Sequence, residues 1–417
     1  MKILQVVHDF LPKHMAGSEV YTYNLSIELK KRRHEVGIYC REDGYFNKNF
    51  TETDEEYNGL CVKRIYYNPI GPLKSIRKFL GMTFGNVSME KHFKRFLEGF
   101  RPDVIHFQHI IGLSPKFISI AQEKKIPTVF TLHDYWFICP RVQLITPTMD
   151  VCGGPGSSFK CAECYSRRKI MTYISCPVFF LRRYYLNKIL DKIDRMIAPS
   201  KFLRDKFIEH GIPEEKIIYS DYGMSTKLFE NFKKKPSEKI RFGFSGTIIQ
   251  HKGVHVLIRA FNKVKLTNVE LKIYGDPEIT PDYYKEISDL AKNPNIKFMG
   301  HFDNCDIAAI LSEIDVLIVP SIWYENSPLT IHEAFIAKIP VITSNIGGMA
   351  DLVQHMENGL LFKVGDSEDL YRKIKLIIDD PSLIEKLSSN IKPVKTIEEN
   401  AEEIEKIYKG LLKNNEG

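Results

Sequence analysis

Short β-branched runs alternate with helix-length amphipathic stretches along the whole chain, a pattern that predicts parallel sheets covered by helices on both faces. The first half carries such runs at Ile3 to His8, Val36 to Cys40, Val62 to Tyr67, Val104 to His109, Thr128 to His133, Met196 to Pro199 and Ile217 to Tyr222. The second half carries them at Arg241 to Ser245, Leu271 to Gly275, Ile296 to Gly300, Val316 to Pro320 and Val341 to Ser344. Two similar α/β units are therefore expected. Asn231 to Lys239, with three successive lysines, Pro236 and Ser237, reads as the polar joint between them and places the domains at 1–230 and 231–395. A last helix over 396–417 opens with Thr396 and Glu399 in capping-box spacing. It lays Ile397, Ala401, Ile404, Tyr408 and Leu411 on one stripe, expected to dock toward the interdomain region.

Composition narrows the class. At 417 residues, 43% hydrophobic and 27% charged, the chain exceeds one ordinary core. Its formal charge of +7 stands beside 52 acidic side chains, which fits an anionic substrate or an acidic membrane surface and argues against a nucleic-acid-binding protein. Met1 to Phe10 is a short apolar run broken by His8 and Asp9, so it reads as a buried strand rather than a signal peptide. No run approaches the ~20 apolar residues that cross a bilayer, and a cytoplasmic chain is expected.

The richest stretch is SIWYENSPLTIHEAFIA, Ser321 to Ala337, where a buried strand ends at Pro320 and a helix begins within eight residues. Ser327 suits the N-cap and Pro328 the first helical position. A helix starting directly after a parallel strand turns its unpaired N–H groups and positive dipole end to the sheet's carboxyl edge, where phosphates bind in such folds. Glu325 precedes the helix and Glu333 lies within it, with seven residues between them. Carboxylates accept hydrogen bonds from hydroxyls, so the pair suits a sugar on one side of a diphosphate and a ribose on the other. The same spacing also fits a surface glutamate and an ordinary helix-interior one.

The pattern E-x7-E, followed by AFIAKIPVI and Gly347-Gly348, resembles the signature of the family 4 retaining glycosyltransferases. That resemblance implies the GT-B fold, two Rossmann-like α/β domains with parallel sheets facing across a cleft. It also implies that Glu325 contacts hydroxyls of the donor sugar, that Glu333 contacts the nucleotide ribose, and that amides near Asn326, Ser327, Leu329 and Thr330 receive the diphosphate. Three further segments are similar to the family in the same order. FSGTIIQHKGVHVLIRAF, Phe244 to Phe261, carries Gly246, Thr247, Lys252 and Gly253; the family places a lysine there for the pyrophosphate, and most relatives carry an arginine where this chain has Thr247. AGSEVYTYNLSIEL, Ala16 to Leu29, matches the N-terminal glycine loop, with Gly17 and Ser18 approaching the donor phosphate or the acceptor. TLHDYWFICP, Thr131 to Pro140, places His133 where the family has a histidine lining the cleft near the transferred sugar, and Asp134 either orients its ring or caps the next turn.

By this resemblance the chain is a retaining, metal-independent hexosyltransferase that moves a sugar from a nucleotide diphosphate sugar to a glycan or lipid-linked acceptor, with His133, Glu325 and Lys252 at the reacting centre. No D-x-D pair lies near a strand end to hold a divalent ion, and no catalytic cofactor is expected. A sugar nucleotide epimerase and a non-catalytic glycan-binding protein are the alternatives. Cys139, Cys152, Cys161 and Cys164 follow the TLHD segment, in an insertion over 139–164, with 12, 8 and 2 residues between successive members. They suit either a closed structural zinc knuckle or reduced thiols. LKSIRKFL, Leu73 to Leu80, and the segment Arg167 to Leu190 combine basic and large apolar residues. Each reads either as peripheral contact with the inner membrane surface or as a core-facing helix with solvated cations.

Overall fold

The computed structural model describes residues 1–43, 50–68, 74–166 and 169–415. The chain forms two compact units: residues 1–143, 153–223 and 397–417 make the first, and residues 144–152 and 224–396 the second. Of the membrane-prone segments, Leu73 and Arg167 with its neighbour Arg168 lie outside the described residues.

The first unit is built on eight strands: β1 (Lys2–Val7), β2 (Glu35–Glu42), β3 (Thr51–Tyr57), β4 (Leu60–Tyr66), β5 (Val104–Phe107), β6 (Thr128–Thr131), β7 (Arg195–Ala198) and β8 (Ile217–Tyr219). Their order is β3-β4-β2-β1-β5-β6-β7-β8, and every neighbouring pair is parallel except β3 with β4. Strand β1 is buried from Ile3 to Val7, as expected of a central strand covered on both faces. The second unit has six: β9 (Ile240–Ser245), β10 (Val269–Tyr274), β11 (Ile296–Gly300), β12 (Val316–Val319), β13 (Val341–Ser344) and β14 (Gly359–Phe362), in the order β11-β10-β9-β12-β13-β14 and parallel throughout. Alternate residues of β12 feed its two cores. Val316 and Ile318 join Phe242, Leu257 and Ile273, while Leu317 and Val319 join Ile314, Ile331 and Met349.

Both sheets reverse their order of addition beside their first strand, between β1 and β5 in the first and between β9 and β12 in the second. Loops leaving the carboxyl ends of such a pair diverge to opposite faces, and the crevice left between them is where ligands bind in open α/β sheets.

The chain enters the main segment of the second unit at Gly223–Met224, ahead of the polar stretch Asn231 to Lys239. Phe229 and Phe232 pack onto the second core, and Lys235 donates its backbone N–H to Ser312, so this segment is folded onto the second unit rather than free. The helix Ile397–Asn415 returns to the first unit and packs against the helix Gly17–Lys31. Ile397, Ala401, Ile404 and Tyr408 of its stripe are buried. Tyr408 reaches the underside of the sheet, its hydroxyl 2.6 Å from His106 Nδ1, and Tyr21 donates to Asn400 at 2.8 Å. Burial pushes His106 down to about 3, so this contact is between neutral groups. Among the described residues no helix is long and apolar enough to cross a membrane.

Candidate functional site

In the second unit the crevice between β9 and β12 gathers the residues singled out by sequence. After β9 the chain passes Gly246 and the exposed Thr247, makes a single 3-10 turn at Gln250–Lys252, and enters the helix Val254–Phe261 through Gly253. Gly253 has φ +72°, and a Cβ there would stand 2.0 Å from the carbonyl oxygen of Pro320, at the end of β12. Only glycine lets these two backbones touch, and the touch carries Lys252 to the neighbouring loop. Its Nζ donates to Glu325 Oε1 at 2.6 Å and lies 5.9 Å from the Trp323 ring centre.

Glu325 is buried and accepts two further hydrogen bonds on the same oxygen, from Ser321 Oγ at 2.8 Å and Trp323 Nε1 at 2.9 Å. Burial is the largest single influence on its carboxyl and works to raise it. Lys252, Ser321 and Trp323 together outweigh that and hold it below the ordinary value, so the site contains a carboxylate. Its loop is clamped from the short helix Gly347–Leu352 that follows β13: the Gly348 N–H donates to the Glu325 carbonyl at 2.8 Å, and a Cβ at Gly348 would lie 1.4 Å from the Asn326 carbonyl oxygen. Next to Lys252, His251 is driven down to about 4, chiefly by burial and then by the lysine, so it adds no charge to the crevice.

The helix after this loop is Leu329–Ile336, one residue later than Ser327 and Pro328 suggested. Pro328 takes the N-cap position and no side chain caps the helix; the Ser327 hydroxyl turns inward to His332 Nε2 at 2.7 Å. The first amides, at Leu329 and Thr330, therefore lack an intrahelical acceptor and sit on partly exposed residues at the positive end of the dipole. One turn on, half-buried Glu333 has its carboxyl raised to about 8 by burial, with no cation opposing the shift. One carboxylate and one protonated carboxyl thus flank a set of amide donors.

In the first unit, His8 follows β1 and His109 follows β5, their rings 4.6 Å apart at the corresponding reversal. Asp134 resolves the alternative left open for it: Oδ2 is 2.6 Å from His109 Nε2, and Oδ1 accepts the Trp136 amide at 2.8 Å, so it caps the next turn and orients His109 rather than His133. His133 has both ring nitrogens engaged, Nε2 with Gln108 Oε1 at 2.9 Å and Nδ1 with the Tyr222 hydroxyl at 2.5 Å. An amide oxygen can only accept, so the proton sits on Nε2. Burial, with His109 and His106 adding to it, holds the ring neutral. Gly17 and Ser18 begin the helix Gly17–Lys31, where Ser18 Oγ donates to Glu19 at 3.0 Å.

Cys139 is buried, Cys152 lies in the segment that groups with the second unit, and Cys161 lines a cavity with Phe179, His210 and the buried Arg182. Cys139, Cys161 and Cys164 do not bring three sulfurs within 4.8 Å of one another. Among the described residues, the ligand-type group that meets this distance is the exposed trio Asp303, Cys305 and Asp306.

Sequence reasoning missed Ser321 and Trp323 as partners of Glu325, although both stand in the quoted motif. It also missed the His109–Asp134 pair, whose signal was a second histidine three residues past His106 at a strand end.

Residues 15–219 match the family described as Glycosyltransferase Family 4, and residues 226–394 the family described as Glycosyl transferases group 1. A capsular polysaccharide biosynthesis glycosyltransferase of Staphylococcus aureus is 30% identical over 264 residues, which are 56% of this chain and 68% of that relative. Sucrose-phosphate synthase of Thermosynechococcus elongatus superposes with a TM-score of 0.72 at 17% identity, covering 99% of both chains. Anabaena HepE in complex with UDP and glucose does so with a TM-score of 0.65 at 18% identity, again covering 99% of both. At such identities the superpositions speak for the fold, which is GT-B. With its two halves matching these two families in sequence, and a relative of the same kind 30% identical and covered over 68% of its length, the chain belongs to the family 4 type of glycosyltransferases.

Proposed function

We propose that the chain transfers a hexosyl group, with retention of configuration, from a nucleotide diphosphate sugar to a hydroxyl of a glycan or lipid-linked acceptor in polysaccharide or glycoconjugate synthesis. The observation that carries this reading is the Lys252–Glu325 pair, held at 2.6 Å beside uncapped amides at the strand-order reversal. Lys252 spends one of its three N–H donors on Glu325, which leaves two for a diphosphate, and the Leu329 and Thr330 amides supply further fixed donors. As the bond from the anomeric carbon to the phosphate oxygen breaks, these donors take up the leaving charge without a divalent ion. The acceptor oxygen bonds to the anomeric carbon from the same face, and its proton passes to the departing phosphate.

Glu325, kept ionised, positions the sugar by accepting from its hydroxyls. Glu333 receives the ribose diol, to which a protonated carboxyl can both donate and accept. Thr247 adds no cation, so diphosphate neutralisation rests on Lys252 and the helix start. His133, with both nitrogens held, positions the loop after β6 rather than moving a proton. The relatives support the substrate class: one is a capsular polysaccharide biosynthesis glycosyltransferase, and one was solved in complex with UDP and glucose.

The test is transfer by purified protein in EDTA, with UDP-, GDP- and ADP-sugars screened first by thermal shift. Glu325→Ala and Lys252→Ala proteins with native circular dichroism should show no transfer. Full activity in either variant sinks the assignment, and product formed from donor alone, with no acceptor, would identify an epimerase instead.

A further inference from the structure

The helix Lys169–Leu190 in the first unit has two faces of opposite fate. Thr172, Phe179, Arg182, Leu186 and Ile189 are buried. The other face presents Ile170, Tyr173, Ile174, Phe180, Leu181 and Tyr184, each between 52% and 69% exposed and spaced by three or four residues across Pro177. An amphipathic helix of a globular protein normally turns its apolar stripe to the core. This one buries one stripe and offers a second, and it alone holds seven of the twenty large apolar side chains exposed among the described residues.

Charge narrows what the second stripe meets. From Lys169 to Leu190 the sequence contains no aspartate or glutamate, and Lys169, Arg183 and Lys188 are exposed beside the stripe. The neighbouring helix Lys74–Phe84 also lacks an acidic residue, and the exposed carboxylates nearest in sequence lie beyond the helix ends, Glu163 on the preceding helix Ser158–Tyr165 and Asp191 just after Leu190. Two copies of this face meeting about a twofold axis would set cations against cations. An anionic bilayer neutralises them and takes up the apolar stripe, while tyrosines at positions 173 and 184 suit the headgroup level, where one end of a ring is dry and the other wet. Arginine at 182 and 183 breaks the apolar run, and the helix is not one that crosses a membrane.

We propose that the exposed face of the helix Lys169–Leu190 is a membrane-docking surface that lies in the headgroup region of an anionic lipid bilayer. The face stands apart from Lys252, Glu325 and Glu333 in sequence and in unit, so its failure and that of the donor reading are separable.

Sedimentation with vesicles of phosphatidylcholine plus phosphatidylglycerol, against phosphatidylcholine alone, tests it on the full chain. The parent protein should partition onto the anionic vesicles and leave them as salt is raised. The double variant Ile174→Ser/Leu181→Ser should bind about tenfold more weakly or worse, and Lys169→Glu/Lys188→Glu should lose the preference for anionic lipid. Because these side chains are exposed, both variants should keep the parental melting temperature and donor-induced thermal shift. Equal partition of parent and Ile174→Ser/Leu181→Ser overturns the proposal. So does a concentration-dependent dimer of the parent, seen by analytical ultracentrifugation, that the same variant abolishes without any vesicle binding.

Discussion

Lys252 and Glu325 each make the other tolerable. A carboxylate as buried as Glu325 loses its hydration, and among the described residues its cationic contact is the Lys252 ammonium, itself 26% exposed. Removing one partner of a buried pair costs more than removing both, because the survivor is left charged and dry. Lys252→Ala should therefore lower stability by roughly 2–3 kcal/mol, somewhat under the fully buried range because the lysine keeps contact with water. Adding Glu325→Gln to it should restore most of that loss, and urea melts of the two single variants and the double show whether the effects are additive or coupled. Glu333 behaves oppositely. Folded, it keeps its proton up to about pH 8, while the unfolded chain releases it near the ordinary carboxyl value. The native state therefore binds the extra proton between those two values, and stability falls as pH rises through that window. Glu333→Gln has no proton to lose. It should match the parent in acid and exceed it by at least about 1 kcal/mol once the pH reaches Glu333's folded value; a difference that does not change with pH rules out this account of Glu333.

At the level of elements, the central parallel strands were readable because they are buried on both faces and so read as short apolar runs, as VLIV of β12 does. Strand β3, reading TETDEEY, was not: it is an antiparallel edge strand with exposed acids, and nothing in its pattern separates it from a loop. Strand β14 is four residues opened by Gly359, too short for periodicity to register. The start of the helix Leu329–Ile336 was misread by one position because Ser327, a good capping residue, found a better partner in His332. Lys252 and Glu325 were singled out by their resemblance to family motifs, while their contact across 73 residues of sequence required the fold. The turn at Gly253 is where local geometry and chemistry meet. Gly253→Ala forces a side chain into a left-handed conformation and into the Pro320 carbonyl, so either the 3-10 turn or the end of β12 must move. A loss of at least about 2 kcal/mol is expected. Donor binding by calorimetry should fall further than stability alone explains, since Lys252 is the preceding residue.

For the whole molecule, the informative feature is that the last helix belongs to the first unit. Ile397, Ile404 and Tyr408 are almost fully buried, and Arg32 donates to Glu405 at 2.8 Å. Ending the chain at Thr396 should remove at least about 5 kcal/mol from the first unit by the loss of apolar burial alone, and it leaves His106 and Gln5 without the Tyr408 hydroxyl. The second unit keeps every residue of the donor crevice, so the truncated protein should lose the first unit's calorimetric transition and still show a thermal shift with its nucleotide donor. Loss of both together would mean that the donor crevice depends on the first unit.

The same return of the chain sets an order on biosynthesis. A ribosome making this protein delivers the eight-stranded sheet early, yet the segment that covers His106 and Tyr21 emerges only after the entire second unit has been made. Until then the nascent first unit carries an uncovered apolar groove, and translation of the intervening residues fixes how long a chaperone has to guard it.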